Sequence, residues 1–363
     1  MTGDRHQERA TESQRHRENL ASLLGGIYGR VTRARRAWYG RRSDRRRRLR
    51  HPVISVGNLA SGGSGKTPVV AAIARMLRER GERPAILSRG YGRREPVEGV
   101  LVVSDGERVL EPVTRSGDEP QMLARTLSGI PVLVSTDRYL AGSFAERHLG
   151  ATVSLLDDGF QHVQLERDID LLLVAPGDLQ ERVLPSGHLR EPLDAARFAD
   201  ALFVTGTDDE VTDVARALGH ERAFRVAPRY GSLSAAGRAL AFAGIARPER
   251  FFDALRSLGW DVARELTFRD HHWFTSRDLQ SIEIAARDAG ASVIITTEKD
   301  AVRLPAFARQ SADERRRGEP SATLDIPIAV LPMTVEIEPA GAFESWLLER
   351  LAHARQSRVS VSE

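Results

Sequence analysis

Short apolar segments alternate along the chain with segments whose apolar residues recur every three to four positions. The first kind predicts buried strands, and the second predicts amphipathic helices. Up to residue 206 the predicted strands are 52–56, 84–88, 130–134, 152–156, 169–174 and 201–204, and the predicted helices are 68–80, 117–127 and 139–149. This alternation indicates an α/β fold with a mainly parallel sheet, helices on both faces, and ligands at the carboxyl ends of the strands.

The hydrophobic pattern loosens over residues 207–238, and we interpret that stretch as a linker between a larger lobe, 51–206, and a smaller α/β lobe, 239–335. Two lobes also fit the length of 363 residues, which exceeds one ordinary domain. The smaller lobe has predicted strands at 240–243, 292–296 and 326–331, predicted helices at 247–258 and 276–288, and an Arg-rich polar loop at 309–322. A last helix is predicted over 340–356, and the pattern leaves open whether it packs back on the larger lobe.

The first fifty residues differ from the rest in pattern and charge. Residues 1–18 are polar and charged, which predicts a disordered tail. Over 19–50 an apolar stripe recurs at helical spacing and consists of Leu20, Leu24, Ile27, Val31 and Trp38. Residues 1–50 hold fifteen Arg and five acidic residues, a net charge of +10, whereas the whole chain carries +3. We interpret this arm either as an amphipathic helix on an anionic surface or as a structural helix that covers the core.

Composition narrows the possible chemistry. The chain has no cysteine, which excludes disulfides, thiolate metal sites and a cysteine nucleophile. The sequence has no secretory signal and no run of roughly 20 apolar residues, so we expect a soluble or peripheral protein. Of the 53 basic residues only Lys66 and Lys299 are lysine. These two are therefore candidates for sites that need a compact ammonium group, which a guanidinium cannot replace.

A glycine-rich segment, VGNLASGGSGKTP at 56–68, lies between the first predicted strand and the first predicted helix. Backbone amides of such a loop surround phosphate oxygens, and the helix N-terminus adds positive potential. Lys66 would reach the β- and γ-phosphates, and the Thr67 hydroxyl would bind Mg²⁺. The predicted nucleotide-binding residues of this P-loop are Ala60, Ser61, Gly62, Gly63, Ser64, Gly65, Lys66 and Thr67.

Three other segments carry candidate catalytic groups. At 157–158 a predicted strand ends in two acidic residues, and beside a P-loop this favours a metal role for Asp157. Asp118 precedes a predicted helix and is either an N-cap or a general base for a substrate hydroxyl. In the smaller lobe His271 follows an acidic residue, which fits either a structural histidine or an oriented acid–base pair.

In their order along the chain, these segments resemble the tetraacyldisaccharide 4′-kinase family, the lipid A kinases of Gram-negative bacteria. The matching motifs are VGNLASGGSGKTP, SRGYGR (88–93), GDEP (117–120), the turn at 135–138, DDGFQH (157–162), LPSGHLREP (184–192), AGIARPERFF (243–252), DHH (270–272) and TTEKDAVR (296–303). They cover about residues 20–305. A P-loop alone would indicate only an NTPase, whereas this ordered set is specific.

The resemblance implies roles for particular residues. Asp118 would be the catalytic base, paired with His271 from the other lobe. Thr67 and Glu191 would bind Mg²⁺, with Asp157 close by.

The resemblance also implies a ligand environment and a setting. Lys299 would face the nucleotide, and the contacts to the disaccharide and its phosphate would come from Arg138, Tyr91, Gln161 and His162. The family fold has two α/β/α lobes joined by a two-stranded linker, the larger lobe being of the P-loop NTPase type. The implied cofactors are ATP and Mg²⁺, and the implied partners are the lipid disaccharide and the inner-membrane surface. We expect a peripheral protein at the cytoplasmic face of that membrane, monomeric and without a nucleic-acid partner.

We therefore predict transfer of the ATP γ-phosphoryl group to the 4′-hydroxyl of tetraacyldisaccharide 1-phosphate in lipid A biosynthesis. The alternative is another P-loop small-molecule kinase or NTPase of related fold. A candidate from a different class is a nucleic-acid-binding module that uses the Arg-rich arm, which predicts salt-dependent binding to RNA or DNA. The net charge of −7 over residues 51–363 argues against that last candidate.

Overall fold

The structure is a computed structural model that describes residues 3–63, 65–233, 235–305 and 324–359. For residues 3–20, 43 and 359 it describes the backbone and not the side chain. Ser64 of the P-loop and the predicted Arg-rich loop at 309–322 lie outside the described residues.

The secondary structure alternates between strands and helices for most of the chain. The α-helices are α1 (Gly3–Arg41), α2 (Lys66–Glu79), α3 (Val113–Ser116), α4 (Asp118–Thr126), α5 (Arg138–His148), α6 (Asp208–Ala217), α7 (Pro248–Ser257), α8 (Ser276–Asp288), α9 (Glu298–Ala301) and α10 (Ala340–Val359). The strands are β1 (Val53–Asn58), β2 (Pro84–Ser88), β3 (Leu101–Ser104), β4 (Val132–Val134), β5 (Val153–Asp157), β6 (Ile169–Val174), β7 (Ala201–Thr205), β8 (Ala223–Tyr230), β9 (Arg238–Ala243), β10 (Asp261–Thr267), β11 (Val293–Thr297), β12 (Ile328–Leu331) and β13 (Met333–Glu338).

The chain divides into two compact units that interleave along the sequence. The first unit takes the residues up to Lys66, Thr152–Ala227 and the residues from Ile337, and the second takes Thr67–Ala151 and Pro228–Glu336. These units do not follow the predicted boundaries at 206 and 239, because contacts between distant segments define them and hydrophobic spacing does not reveal such contacts.

In the first unit, strands β8, β7, β6, β1 and β5 lie side by side in this order, all parallel. Central strands such as β1 and β6 are buried along their whole length, as expected for a parallel sheet covered on both faces. Phe160, Leu172 and Leu202 belong to one of its core clusters. The carboxyl ends of β1 and β5 therefore reach the same edge, where Val56 pairs with Asp157.

In the second unit, β2 and β4 are parallel and β3 is antiparallel to β4. A separate four-stranded parallel sheet has the order β10, β9, β11, β12. Alternate residues of β9 face opposite sides of this sheet. Phe242 packs with Leu279 of α8, whereas Ala241 packs with Phe252 of α7, so the sheet is covered by helices on both faces.

The stretch that we interpreted as a linker, 207–238, contains regular structure that the hydrophobic pattern did not reveal. Helix α6 begins with a capping box, in which Thr207 and Glu210 accept each other's backbone N–H. Only Val214 of this helix is fully buried, which explains its weak hydrophobic periodicity. Strand β8 then extends the parallel sheet of the first unit.

Both chain ends form helices. Helix α1 begins at Gly3, so the segment that we expected to be a disordered tail, 1–18, is assigned helix from that residue onward. Its many Arg, Glu and Gln residues, with no proline, have good helix propensity. Helix α10 packs on the first unit, where Phe343 contacts the rings of Phe203 and Phe224. This answers the question that the sequence left open for the last helix.

Candidate active site

The P-loop connects the end of β1 to the start of α2. Gly65 has a φ of 85°, a conformation that favours glycine, and no atom lies within 4 Å of the position that a Cβ would take. Lys66 Nζ donates to Asn58 Oδ1 at 2.8 Å and lies 3.4 Å from Asp158 Oδ1. The lysine is thus held by two oxygen-bearing side chains at the end of the sheet.

Arg190 completes this network from the LPSGHLREP segment. Its two terminal nitrogens each donate to one oxygen of Asp158, both at 2.8 Å, and Nη2 also donates to Asn58 Oδ1. Burial would raise the pKa of Asp158, but hydrogen bonds and positive charge from Arg190 and Lys66 outweigh it and hold that pKa well below its usual range. Asp158 also has a φ of 57°, which is uncommon for a residue other than glycine.

A close backbone approach brings the DDGFQH segment against the strand that leads into the P-loop. A Cβ on Gly57 would lie 2.4 Å from the Cβ of Phe160, so only glycine fits there. Gln161 Nε2 donates to the Asn58 carbonyl at 3.1 Å. The segment is therefore held directly beside the end of β1.

The predicted metal ligands have different surroundings. Thr67 lies in the first turn of α2 and Asp157 at the end of β5, and both are buried. Both oxygens of Glu191 accept hydrogen bonds from Arg36 of α1, each at 2.9 Å. Among the described residues, no group of three or more His, Asp or Glu side chains is arranged so that it could hold a metal ion by itself.

The second unit holds a separate cluster around Asp118, the first residue of α4. His271 Nδ1 lies 2.7 Å from Asp118 Oδ2, and His271 has a φ of 58°. Arg303 Nε lies 3.7 Å from the same oxygen. Burial would raise the pKa of Asp118, but the His271 hydrogen bond and the charges of Lys299, His271 and Arg303 outweigh it and lower that pKa.

Lys299 lies among three carboxylates of this cluster. Its Nζ donates to Glu119 at 3.2 Å and lies 3.8 Å from Asp270 and 3.9 Å from Asp118. Burial would lower the pKa of Lys299, but these carboxylates outweigh it and raise that pKa. The lysine is therefore a cation that compensates the acidic cluster.

Comparison with known proteins identifies the family to which this chain belongs. The sequence profile of the family described as tetraacyldisaccharide-1-P 4′-kinase, LpxK, matches residues 18–352. The chain belongs to the tetraacyldisaccharide-1-P 4′-kinase family. The tetraacyldisaccharide 4′-kinase of Geobacter metallireducens is 42% identical over 306 residues, which are 80% of this chain and 90% of that protein. The enzyme of the same name from Nitrobacter winogradskyi is 39% identical over 344 residues, 92% of this chain and 94% of that protein.

A solved structure of the family agrees with the fold. The crystal structure of the "apo" form of LpxK from Aquifex aeolicus in complex with ATP superposes with a TM-score of 0.71 at 30% identity, and the match covers 91% of this chain and 98% of that chain. The predicted family, the α/β fold with a large, mainly parallel sheet of P-loop type, and the kinase class are thereby confirmed.

Some of the predicted site residues lie in the second unit, and the others lie in the first unit. Asp118 and His271 are paired, as the resemblance implied, but both lie in the second unit and not in two different lobes. The predicted contact of Lys299 with the nucleotide stays a prediction, because the structure shows only its acidic partners. Among the predicted substrate residues, Tyr91 is exposed, with its ring centroid 5.7 Å from that of His271, and Arg138 is buried at the start of α5.

The other two predicted substrate residues, Gln161 and His162, follow Asp158 in the first unit. Sequence reasoning named neither Asp158 nor Arg190 as a site residue, although both lie inside quoted motifs. It also missed Arg36 of the predicted arm. The only feature of Arg36 in the sequence is a charged residue that lies outside the apolar stripe, and this does not indicate a functional role.

Proposed function

We propose that this chain transfers the γ-phosphoryl group of ATP to the 4′-hydroxyl of tetraacyldisaccharide 1-phosphate, a step of lipid A biosynthesis. Family membership over residues 18–352 supports the reaction class and the substrate class. The observation that carries the proposal is the buried Asp118, hydrogen-bonded to His271, in a chain that also contains a P-loop lysine.

The P-loop fits a nucleotide triphosphate. Open space beside Gly65, the start of α2 at Lys66 and the ammonium group itself are the features that bind phosphate oxygens. Lys66 would exchange its hydrogen bond to Asn58 for contacts to the β- and γ-phosphates. Asp158 and Arg190 would then fix the side chain of Asn58 and the approach of the lysine.

The donor set also fits Mg²⁺, which prefers oxygen ligands and commonly uses one or two protein groups together with phosphate oxygens and water. Thr67 and Asp157 would hold the ion, and each oxygen of Glu191 keeps a lone pair besides the one that accepts from Arg36. When bound, Mg²⁺ supplies positive charge that neutralises the phosphate oxygens during transfer.

Asp118 would act as the general base. The 4′-hydroxyl oxygen forms a bond to the γ-phosphorus, the bond from that phosphorus to the leaving oxygen of ADP breaks, and the hydroxyl proton passes to Asp118. His271 orients the carboxylate through its 2.7 Å contact. The lowered pKa of Asp118, which burial opposes and the surrounding cations cause, keeps it ionised and able to accept a proton at neutral pH.

We also propose a peripheral location at the cytoplasmic face of the inner membrane. Leu23, Ile27 and Val31 of α1 are exposed apolar residues on a helix rich in arginine. Among the described residues no helix combines the length and hydrophobicity of a membrane span. We also propose that the protein acts as a monomer.

The experiment that tests this function incubates purified protein with radiolabelled ATP, Mg²⁺ and tetraacyldisaccharide 1-phosphate and looks for a labelled bisphosphorylated lipid. In parallel, Asp118→Asn should lower turnover by roughly 10²–10⁴-fold, the scale for loss of a general base. Its affinity for ATP should stay close to wild type, because Asp118 is not part of the P-loop.

Two results would contradict the proposal. Label transfer to a small sugar or other soluble hydroxyl, with none to the disaccharide, would favour a different P-loop kinase. Loss of ATP affinity in parallel with turnover in Asp118→Asn would make Asp118 a structural cap or a metal ligand rather than the base.

A further inference from the structure

Arg36 of helix α1 is buried against the first unit, which is unusual for an arginine in so basic a helix. Its Nε donates to Glu191 Oε2 and its Nη2 to Glu191 Oε1, each at 2.9 Å. The same Nη2 donates to the Phe160 carbonyl at 3.0 Å, and the guanidinium lies 4.2 Å from the centroid of the Phe160 ring. The side chains of Arg36 and Glu191 are only 5% and 7% exposed.

A neighbouring arginine on the same helix shows how different this pair is. Arg33 Nε contacts Asp194 at 2.9 Å, but those side chains are 50% and 43% exposed. An exposed pair contributes little to stability, whereas a buried pair is costly to desolvate unless its geometry is good and its hydrogen bonds are satisfied. The bidentate geometry of Arg36 meets that condition and fixes the orientation of its partner.

The two groups that Arg36 holds belong to the segments that surround Lys66. Glu191 directly follows Arg190, whose guanidinium binds Asp158 and Asn58. Phe160 follows Asp158 by two residues, in the segment that passes close to Gly57. One side chain of α1 therefore ties together the two segments that contribute Asp158 and Arg190 to the P-loop network.

We propose that Arg36 is a positioning residue for the phosphate site, fixing Glu191 and the Phe160 carbonyl so that Asp158 and Arg190 are presented to Lys66 in one geometry. Helix α1 is then part of the nucleotide site as well as an arm. This inference rests on the proposed function, since it assigns Arg36 to the binding of Mg²⁺ and ATP phosphates.

The test compares Arg36→Lys with wild type and with Arg33→Ala as the matched control on the same helix. Lysine keeps the charge but cannot form the bidentate hydrogen bonds to the Glu191 carboxylate. We expect Arg36→Lys to lower Mg²⁺-dependent ATP affinity, measured by calorimetry without lipid substrate, by about 10–100-fold, the scale seen when a partner of a metal ligand is removed. ATP affinity without Mg²⁺ should change much less, and Arg33→Ala should match wild type in both measurements.

Hydrogen exchange of the nucleotide-free protein gives a second readout. Amides at 158–162 and 188–191 should exchange faster in Arg36→Lys, with other segments unchanged, and Arg36→Gln should show the same local pattern. A lower melting temperature, with wild-type Mg²⁺ dependence and no local change in exchange, would overturn the proposal and make Arg36 a simple anchor for α1. A wild-type protein that binds Mg²⁺ and ATP but does not phosphorylate the disaccharide would instead contradict the proposed function and leave this inference standing.

Discussion

Two residues other than glycine have positive φ among the described residues, Asp158 at 57° and His271 at 58°. Each belongs to one of the two clusters of charged side chains, and each contacts the residue on which the proposed chemistry depends. Backbone conformations of this kind cost free energy and persist where the surrounding structure enforces them, which occurs often at functional sites. At the scale of single residues, the backbone thus marks the same positions as the side-chain contacts do.

Lys66→Arg tests whether the P-loop needs an ammonium group. We expect it to abolish most turnover although the charge is kept, because a planar guanidinium is too large for the phosphate cradle and would collide with Arg190 near Asn58. Steady-state kinetics with ATP is the measurement. The control is Arg216→Lys, whose side chain makes an exposed contact to Asp213 on α6. Near-normal turnover of Lys66→Arg would refute the assignment of this lysine.

Lys299→Met tests the electrostatics of the catalytic base. The pKa of Asp118 is lowered by the His271 hydrogen bond and by nearby positive charges, although burial opposes this. Lys299 supplies one of those charges, so its removal should raise the pKa of Asp118. Asp118 must be ionised to accept a proton, and the acidic limb of the kcat/KM profile should therefore move to higher pH. Arg256→Ala, which removes ion pairs with Asp253 and Glu265, serves as the control and should leave the limb in place. An unmoved limb together with a raised KM for ATP would support the predicted nucleotide contact of Lys299 instead.

At the scale of elements, helix α1 makes the protein contacts of a structural helix, and its binding to an anionic surface stays a prediction. One side contacts the first unit through Arg33, Arg36 and Arg35, the last donating to the Gln161 carbonyl. The other side leaves apolar residues in solvent, among them Ile27 and Val31. The buried Arg36 makes α1 part of the first unit, and membrane contact of its apolar side stays a prediction that the next variant tests.

Ile27→Ser with Val31→Ser separates the apolar side of α1 from its protein contacts. We expect binding to anionic liposomes to fall about tenfold or more, since each residue loses part of the roughly 1.5–3 kcal/mol that burial of such a side chain contributes. The melting temperature should not change because both residues are exposed. Co-sedimentation at low and high salt is the measurement, with exposed Ile284→Ser of α8 as the control. If the double variant binds liposomes as wild type does, the membrane contact lies elsewhere.

At the scale of the whole molecule, we consider a truncated chain that starts at His51 and lacks α1. We expect this truncation to impair stability and turnover as well as the predicted binding to a membrane. The truncation removes the bidentate partner of Glu191 and the hydrogen bond from Arg36 to the Phe160 carbonyl. We therefore expect reduced stability and reduced turnover even on detergent-dispersed substrate, measured by thermal unfolding and kinetics. Ile27→Ser with Val31→Ser, which keeps Arg36, should retain turnover in detergent. Wild-type turnover by the truncated chain in detergent would show that α1 contributes only to membrane contact.

Local chemistry allowed the sequence alone to determine the α/β class, the P-loop and most central strands. A phosphate loop is a contiguous strand, glycine turn and helix, so its residues need no distant partner to be recognised. Strand β6 and helix α8 were predicted with their observed bounds, because a continuous apolar run and a capped amphipathic pattern are local signals. The ordered motifs likewise determined the family.

Only the tertiary structure decided which charged residues meet. Arg36 and Glu191 are separated by 155 residues, and Asp118 and His271 by 153, so no spacing rule relates them. The family resemblance supplied the second pair, while the first followed from neither pattern nor resemblance. Contacts of this kind depend on which strand ends and helix faces become neighbours, and that is settled by burial of apolar surface over the whole chain. For the same reason the sequence did not reveal that Lys299 lies among three carboxylates.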